Sequence, residues 1–105
     1  MKQVKIMDEF LIKIKAIADE TRLNILKSLL TKNFCVKALA RKLEVSESAV
    51  SQHLKILREA GLVMGEKKGY YVHYMVREEN LLKIAEDIRT LISNSGHDDD
   101  FCFKE

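Results

Sequence analysis

The chain contains no proline, no low-complexity linker and no internal repeat. Nothing in it forces a helix to stop by removing a backbone donor, so helix is expected to dominate. Two cysteines, Cys35 and Cys102, are too few and too far apart in sequence to staple a secreted disulfide scaffold. No apolar run approaches the roughly 18 residues that cross a bilayer. The opening Met1-Lys2-Gln3-Val4 offers no secretory apolar stretch, since Asp8 and Glu9 interrupt it, and a cytoplasmic protein without membrane attachment is expected. Enzyme signatures are missing as well. There is no phosphate loop, no catalytic metal spacing and no nucleophile–base–orienter set. Ser51-Gln52-His53 puts a serine and a histidine on different faces of one helix, which is not a dyad.

What is present fits one small domain of 105 residues with a single modest core, 47% of the residues being apolar. The net charge of +2 conceals an asymmetry. Residues 1–77 carry 15 Lys and Arg against 8 Asp and Glu, whereas residues 78–105 carry 3 against 8. A basic front meets the long-range electrostatic requirement of a polyanion partner, although many basic proteins have none.

Apolar spacing predicts five helices and one hairpin in the order α-α-α-α-β-β-α, a mainly α chain with a small β-hairpin. Residues 4–18 place Met7, Phe10, Leu11, Ile14, Ile17 and Ala18 at helical period. Asp19 is a good N-cap for a second helix over 20–31, with Leu23, Leu26, Leu29 and Leu30 as its apolar face and Asn33 ending it. A third helix over 36–43 would bury Val36, Leu39, Ala40 and Leu43. Glu44-Val45-Ser46 then forms a turn, and Ser46 caps a fourth helix over 47–60 that Gly61 terminates. Strands at 63–66 and 70–76 flank a tip of Lys67-Lys68-Gly69. The last helix, 78–93, carries Leu81, Leu82, Ile84, Ala85, Ile88, Leu91 and Ile92. Residues 1–94 read as the folded domain and residues 95–105 as an acidic tail that Phe101 and Phe103 could dock.

The fourth helix has two chemically distinct faces. Val50, Leu54, Leu57, Ala60 and Ala49 share one, while Ser48, Ser51, Gln52, Lys55 and Glu59 share the other. Short hydrogen-bonding side chains on a helix that follows a braced turn suit the major groove of duplex DNA. Gln52 matches adenine bidentately, Ser46, Ser48 and Ser51 serve base or phosphate, and Lys55 reaches phosphate or guanine. Lys67 and Lys68 would approach the sugar-phosphate backbone or minor groove, and Tyr71 could touch phosphate; lysines at a hairpin tip also serve as solubilising edges. Tyr70 and Tyr74 read as strand packing. His53 lies toward the core side of the wheel, which favours a hydrogen-bonded structural histidine over a base contact or metal ligand. The apolar seam of the last helix, together with the first, is suited to pairing with a second copy through residues 4–18 and 78–93. Packing of both helices within one chain is the competing arrangement.

Three segments carry a family resemblance. Ala18-Asp19-Glu20-Thr21-Arg22-Leu23-Asn24-Ile25-Leu26, the run from Val45 through Ser51-Gln52-His53-Leu54 to Val63, and the Lys67–Tyr74 flap together resemble the ArsR/SmtB family of winged helix-turn-helix repressors over residues 10–76. The resemblance implies a homodimer that binds an imperfect palindromic operator near a promoter and is released by an inducer, often a metal or metalloid ion. A winged-helix module that binds proteins without reading DNA or sensing metal is the alternative.

The sensing sites known in that family are not reproduced. The arsenic-type site needs closely spaced cysteines at the start of the third helix, where this chain reads Cys35-Val36-Lys37. The zinc-type site needs histidines on the last helix, and residues 78–93 hold none. What remains is Cys35 at a helix start, a setting that favours a thiolate, and His97-Asp98-Asp99-Asp100-Phe101-Cys102 in the tail. Cys35 and Cys102 are the candidate ligands of a regulatory soft metal or metalloid, or the partners of a disulfide, with His97 completing a harder coordination set. No cofactor is required. Cys35 as a buried small hydrophobe is the plainer alternative.

Overall fold

The computed structural model describes residues 2–94 and 96 of the chain. Seven elements follow one another as α1 (Lys2–Ile17), α2 (Glu20–Leu29), α3 (Val36–Leu43), α4 (Glu47–Glu59), β1 (Val63–Lys68), β2 (Tyr71–Val76) and α5 (Glu78–Asn94). The expected order and fold class hold: five helices and one antiparallel hairpin. The tail residues 97–105, with the roles expected of His97, Phe101, Cys102 and Phe103, lie outside the described residues.

Local chemistry sets most boundaries. Asp19 caps α2, its carboxylate accepting the Arg22 N–H at 3.0 Å. Ser46 caps α4 through its hydroxyl, which accepts the Ala49 N–H at 3.1 Å. Beyond α4, Gly61 takes a left-handed φ of 77°, letting Leu62 N–H reach the Leu57 carbonyl and Gly61 N–H the Arg58 carbonyl, both at 2.9 Å. The same device ends α3 without a glycine: Glu44 sits at φ 56°, and Val45 N–H reaches the Ala40 carbonyl at 3.1 Å. That conformation costs an L-residue about 1–2 kcal/mol.

The core lies where α2, α3, α4 and the base of the hairpin converge. Ile25, Leu39, Val50, Leu54, Leu57, Leu62 and Val63 are its fully buried side chains. α2 departs from expectation. Its buried arc is centred on Ile25 and Leu29, with Leu26 and the small Ser28 at the margins, while Leu23 and Leu30 face outward. Arg22 takes the inward position beside them, for a reason given below.

The hairpin also differs from expectation. Lys68 pairs with Tyr71, so Lys67 and Lys68 belong to β1 and the loop is Gly69-Tyr70. Gly69 alone of the two has positive φ, 61°, which matches a two-residue type II′ turn with glycine at its first central position. Tyr70, expected to pack on the strand, is fully exposed at the tip. Tyr74 packs against the core as expected. It also exchanges two backbone hydrogen bonds with Phe34, at 2.7 and 3.3 Å, so the loop before α3 adds a bridge to the hairpin and ties it to the helices. No helix among the described residues is long and apolar enough to cross a membrane.

Candidate nucleic-acid interface

α3 and α4 meet through the short turn 44–46, and α4 presents its polar face away from the core. Val50, Leu54 and Leu57 anchor the inward face at 0–1% exposure. Ser48, Ser51, Gln52 and Lys55 are all exposed, as the periodicity predicts. Ser51, Gln52 and Lys55 have no side-chain partner among the described residues, leaving their hydrogen-bonding capacity open. Ser46 is committed differently: its hydroxyl is spent on the cap and lies 3.2 Å from the Ser48 hydroxyl.

The hairpin stands beside this helix with its two lysines in unequal states. Alternation puts them on opposite faces of β1. Lys68 is paired with Glu66 at 2.9 Å. Lys67 has no ion-pair partner among the described residues. Tyr71 is exposed at the first position of β2 and closes an open cleft against α3, whose other walls include Cys35, Lys37, Ala38 and Arg41. Lys37 and Arg41 are both exposed and four residues apart on one face of α3. Sequence reasoning did not single them out, although a helix that braces a reading helix is where backbone phosphates pass.

Cys35 is the N-cap of α3, partly buried, and its thiol makes no capping hydrogen bond. Among the described residues no group of three or more His, Cys, Asp or Glu side chains comes together in a way that could hold a metal ion. Cys102 and His97 lie outside the described residues.

His53 is the hydrogen-bonded histidine that the helical wheel predicts. Its Nδ1 lies 3.2 Å from Nη1 of Arg22 and 3.9 Å from Oδ2 of Asp19. Arg22 also donates Nε–H to the Ala16 carbonyl at 2.6 Å and approaches the Lys15 carbonyl with Nη2 at 3.5 Å. These are carbonyls at the C-terminal end of α1, where a cation is favoured. The Arg22 backbone N–H, and then the nearby Arg22 guanidinium, hold the Asp19 carboxyl below its ordinary 3.8. Arg22 was visible only as a letter in a motif, because its partners lie on two other helices.

α1 and α5 show the opposite of a closed core. Met7, Leu11 and Ile12 on α1 and Leu82, Ile88 and Leu91 on α5 remain between 42% and 67% exposed. Ile84 is the one buried residue of α5, and Asn80 ties that helix to the end of α4 by donating to the Gly61 carbonyl at 2.5 Å.

Comparison with known proteins agrees with this geometry. A model of bacterial regulatory proteins of the arsR family matches residues 19–64. The transcriptional repressor SmtB homolog of Synechocystis is 33% identical over 93 residues, covering 89% of this chain and 68% of that protein. Of the SmtB repressor of Mycobacterium tuberculosis, the chain spans 61% of the length at 36% identity. The transcriptional activator HlyU of Vibrio cholerae is 40% identical over 78 residues, 74% of this chain and 72% of that one. Among solved structures, an ArsR-like transcriptional regulator from Rhodococcus superposes with a TM-score of 0.80 at 30% identity, covering 85% of this chain and 84% of that one.

Proposed function

The chain belongs to the arsR family of winged helix-turn-helix DNA-binding regulators, which are not enzymes, and from that premise we propose that it is a cytoplasmic, homodimeric repressor of a palindromic operator. One observation carries the reading. The face of α4 that bears Ser48, Ser51, Gln52 and Lys55 is exposed, while the opposite face is sealed into the core. A helix so mounted can enter the major groove without giving up internal contacts. Gln52 and Ser51 then address base edges, and Ser48 addresses base or phosphate. Lys55, Lys67, Lys37 and Arg41 neutralise phosphates, and Lys68 joins them when it leaves Glu66. Ser46 acts through its cap, which orients the first turn of α4 toward the duplex. Tyr71 borders the same groove.

Pairing follows from the exposed apolar residues of α1 and α5. Two copies joined there present two α4 helices about one DNA turn apart, matching two half-sites. Repression results where the operator overlaps a promoter. Its release is assigned to Cys35, acting with Cys102 and His97 of the tail, through binding of a soft metal or metalloid or through oxidation of the thiols.

The test is a titration of promoter DNA at several salt concentrations. Specific binding is expected in the range of about 10⁻⁸ M or tighter, falling steeply with salt. Gln52→Ala should relax preference at one base position by about 1–3 kcal/mol, whereas Lys67→Ala should weaken all sequences alike and reduce the salt slope by about 1. Weak, sequence-indifferent binding would instead favour a protein-interaction module. For release, arsenite, cadmium, zinc and an oxidant are added to the wild type, Cys35→Ser and Cys102→Ser. Indifference of all three proteins to every agent would remove the thiol assignment and leave the DNA reader standing.

A further inference from the structure

Three helices meet at one guanidinium. Arg22, in the first turn of α2, holds the last carbonyls of α1 with Nε and Nη2 and faces Nδ1 of His53, midway along α4, with Nη1. A guanidinium has only donors, so the 3.2 Å contact is a hydrogen bond only when Nδ1 is the acceptor, in neutral imidazole with its hydrogen on Nε2. Asp19 lies 3.9 Å from the same nitrogen, beyond hydrogen-bond range, with its carboxylate committed to the Arg22 backbone N–H.

We propose that the Arg22–His53 contact is a positioning device, holding the reading helix in its DNA-competent pose against the end of α1, and that a proton on Nδ1 of His53 releases it. The proposal rests on the reading of α4 as the DNA-inserting helix. Protonation turns Nδ1 from acceptor into donor, so that two donors and two positive charges face each other where a hydrogen bond stood. The new N–H has an acceptor at hand in Asp19, whose carboxyl is held below its ordinary 3.8. The ring therefore turns from Arg22 toward Asp19. His53 lies on α4 itself, so loss of the contact frees the helix that carries the reading face from the end of α1.

The charged groups recorded against the ring are Arg22 and Asp19, from α2 and its cap, while Lys15 of α1 and Glu59 of α4 line a cleft that Arg22 borders and His53 does not. Arg22 opposes an imidazolium, and Asp19 receives it. Because α1 is also a pairing helix, Arg22 links the subunit contact to the DNA contact through one side chain.

Operator affinity is measured at fixed salt from about pH 8 to about pH 5.5 for the wild type, His53→Asn and His53→Ala. Asparagine places an oxygen acceptor near the position of Nδ1 and takes up no proton. Loss of one charge-assisted hydrogen bond predicts a fall of about tenfold for the wild type across that range, and a similar deficit for His53→Ala at every pH. His53→Asn should bind like the neutral wild type throughout. A wild-type pH profile in His53→Asn, or full affinity in His53→Ala, overturns the proposal.

A measurement without DNA decides the contact itself. Nitrogen-15 spectra at pH 8 should show His53 as the Nε2–H tautomer, and the Nδ1–H tautomer would overturn it whatever the operator does. If His53→Ala fails to fold, the asparagine variant and the tautomer decide. The expected tautomer in a protein that binds no duplex at any pH overturns the DNA reading, and this proposal with it. Duplex binding with identical profiles in wild type and His53→Asn overturns this proposal alone.

Discussion

α4 and α5 are both amphipathic helices of similar length, yet one chain satisfies only the first. α4 buries Val50, Leu54 and Leu57 almost completely. α5 buries Ile84 and leaves Leu82 at 67%, Ile88 at 43% and Leu91 at 48% exposure. The apolar face of α4 is an internal anchor, so its polar face is free to act. The apolar face of α5 is left open by the described residues. Equal periodicity in the sequence thus stands for two different physical tasks.

The sharpest way to break this contrast is to damage the internal anchor. Leu57→Ala should cost about 2–5 kcal/mol, a large share of the stability of a small domain, and thermal melting should show it directly. On the external face the same kind of lesion should spare the fold. Leu82→Glu with Leu91→Glu is expected to leave helical circular dichroism intact, convert the dimer to a monomer in sedimentation, and lower operator affinity by about 100-fold through lost bivalency. Unchanged sedimentation would show that α5 pairs elsewhere.

A smaller effect concerns the entrance to α2, which packs against α4 and α1. The Asp19 carboxyl is held below its ordinary 3.8 by the Arg22 N–H, so its folded form binds a proton less readily than the unfolded chain. The contribution is therefore full above that ordinary value and is lost as pH falls through the lowered one. Asp19→Asn keeps a capping oxygen and should flatten this acid limb of the melting curve, while matching wild type less well at neutral pH. The smallest effect belongs to the turn that joins α3 to α4. Glu44→Gly relieves the left-handed strain at φ 56° at some cost in chain entropy, for a net gain of at most about 1 kcal/mol.

How much of this was legible depended on range. The Asp19 and Ser46 caps, the bounds of α3 and the role of Gly61 were all readable, because each is settled by partners within five residues. The outward set Ser48, Ser51, Gln52 and Lys55 was readable because helical period and strong burial of the opposite face agree. The exposure of Leu23 and Leu30 was not, since leucine count cannot say where a neighbouring helix will lie. The hairpin tip lies at 69–70 instead of 67–69, because a type II′ turn places glycine at its first central position and draws both lysines into the strand. The Phe34–Tyr74 bridge joins residues forty apart and left no local trace.

By itself, the sequence determined the helices, their caps, the polar face of α4 and the family, which follow from side chains three or four positions apart and from three short motifs. Only the tertiary structure decided that Arg22 spans three helices, that His53 faces its guanidinium, and that the described residues leave apolar surface of the terminal helices uncovered. Those facts depend on where separate elements come to rest, and contacts such as Arg22–His53 across 31 residues are set by the packing of the whole chain rather than by any local pattern.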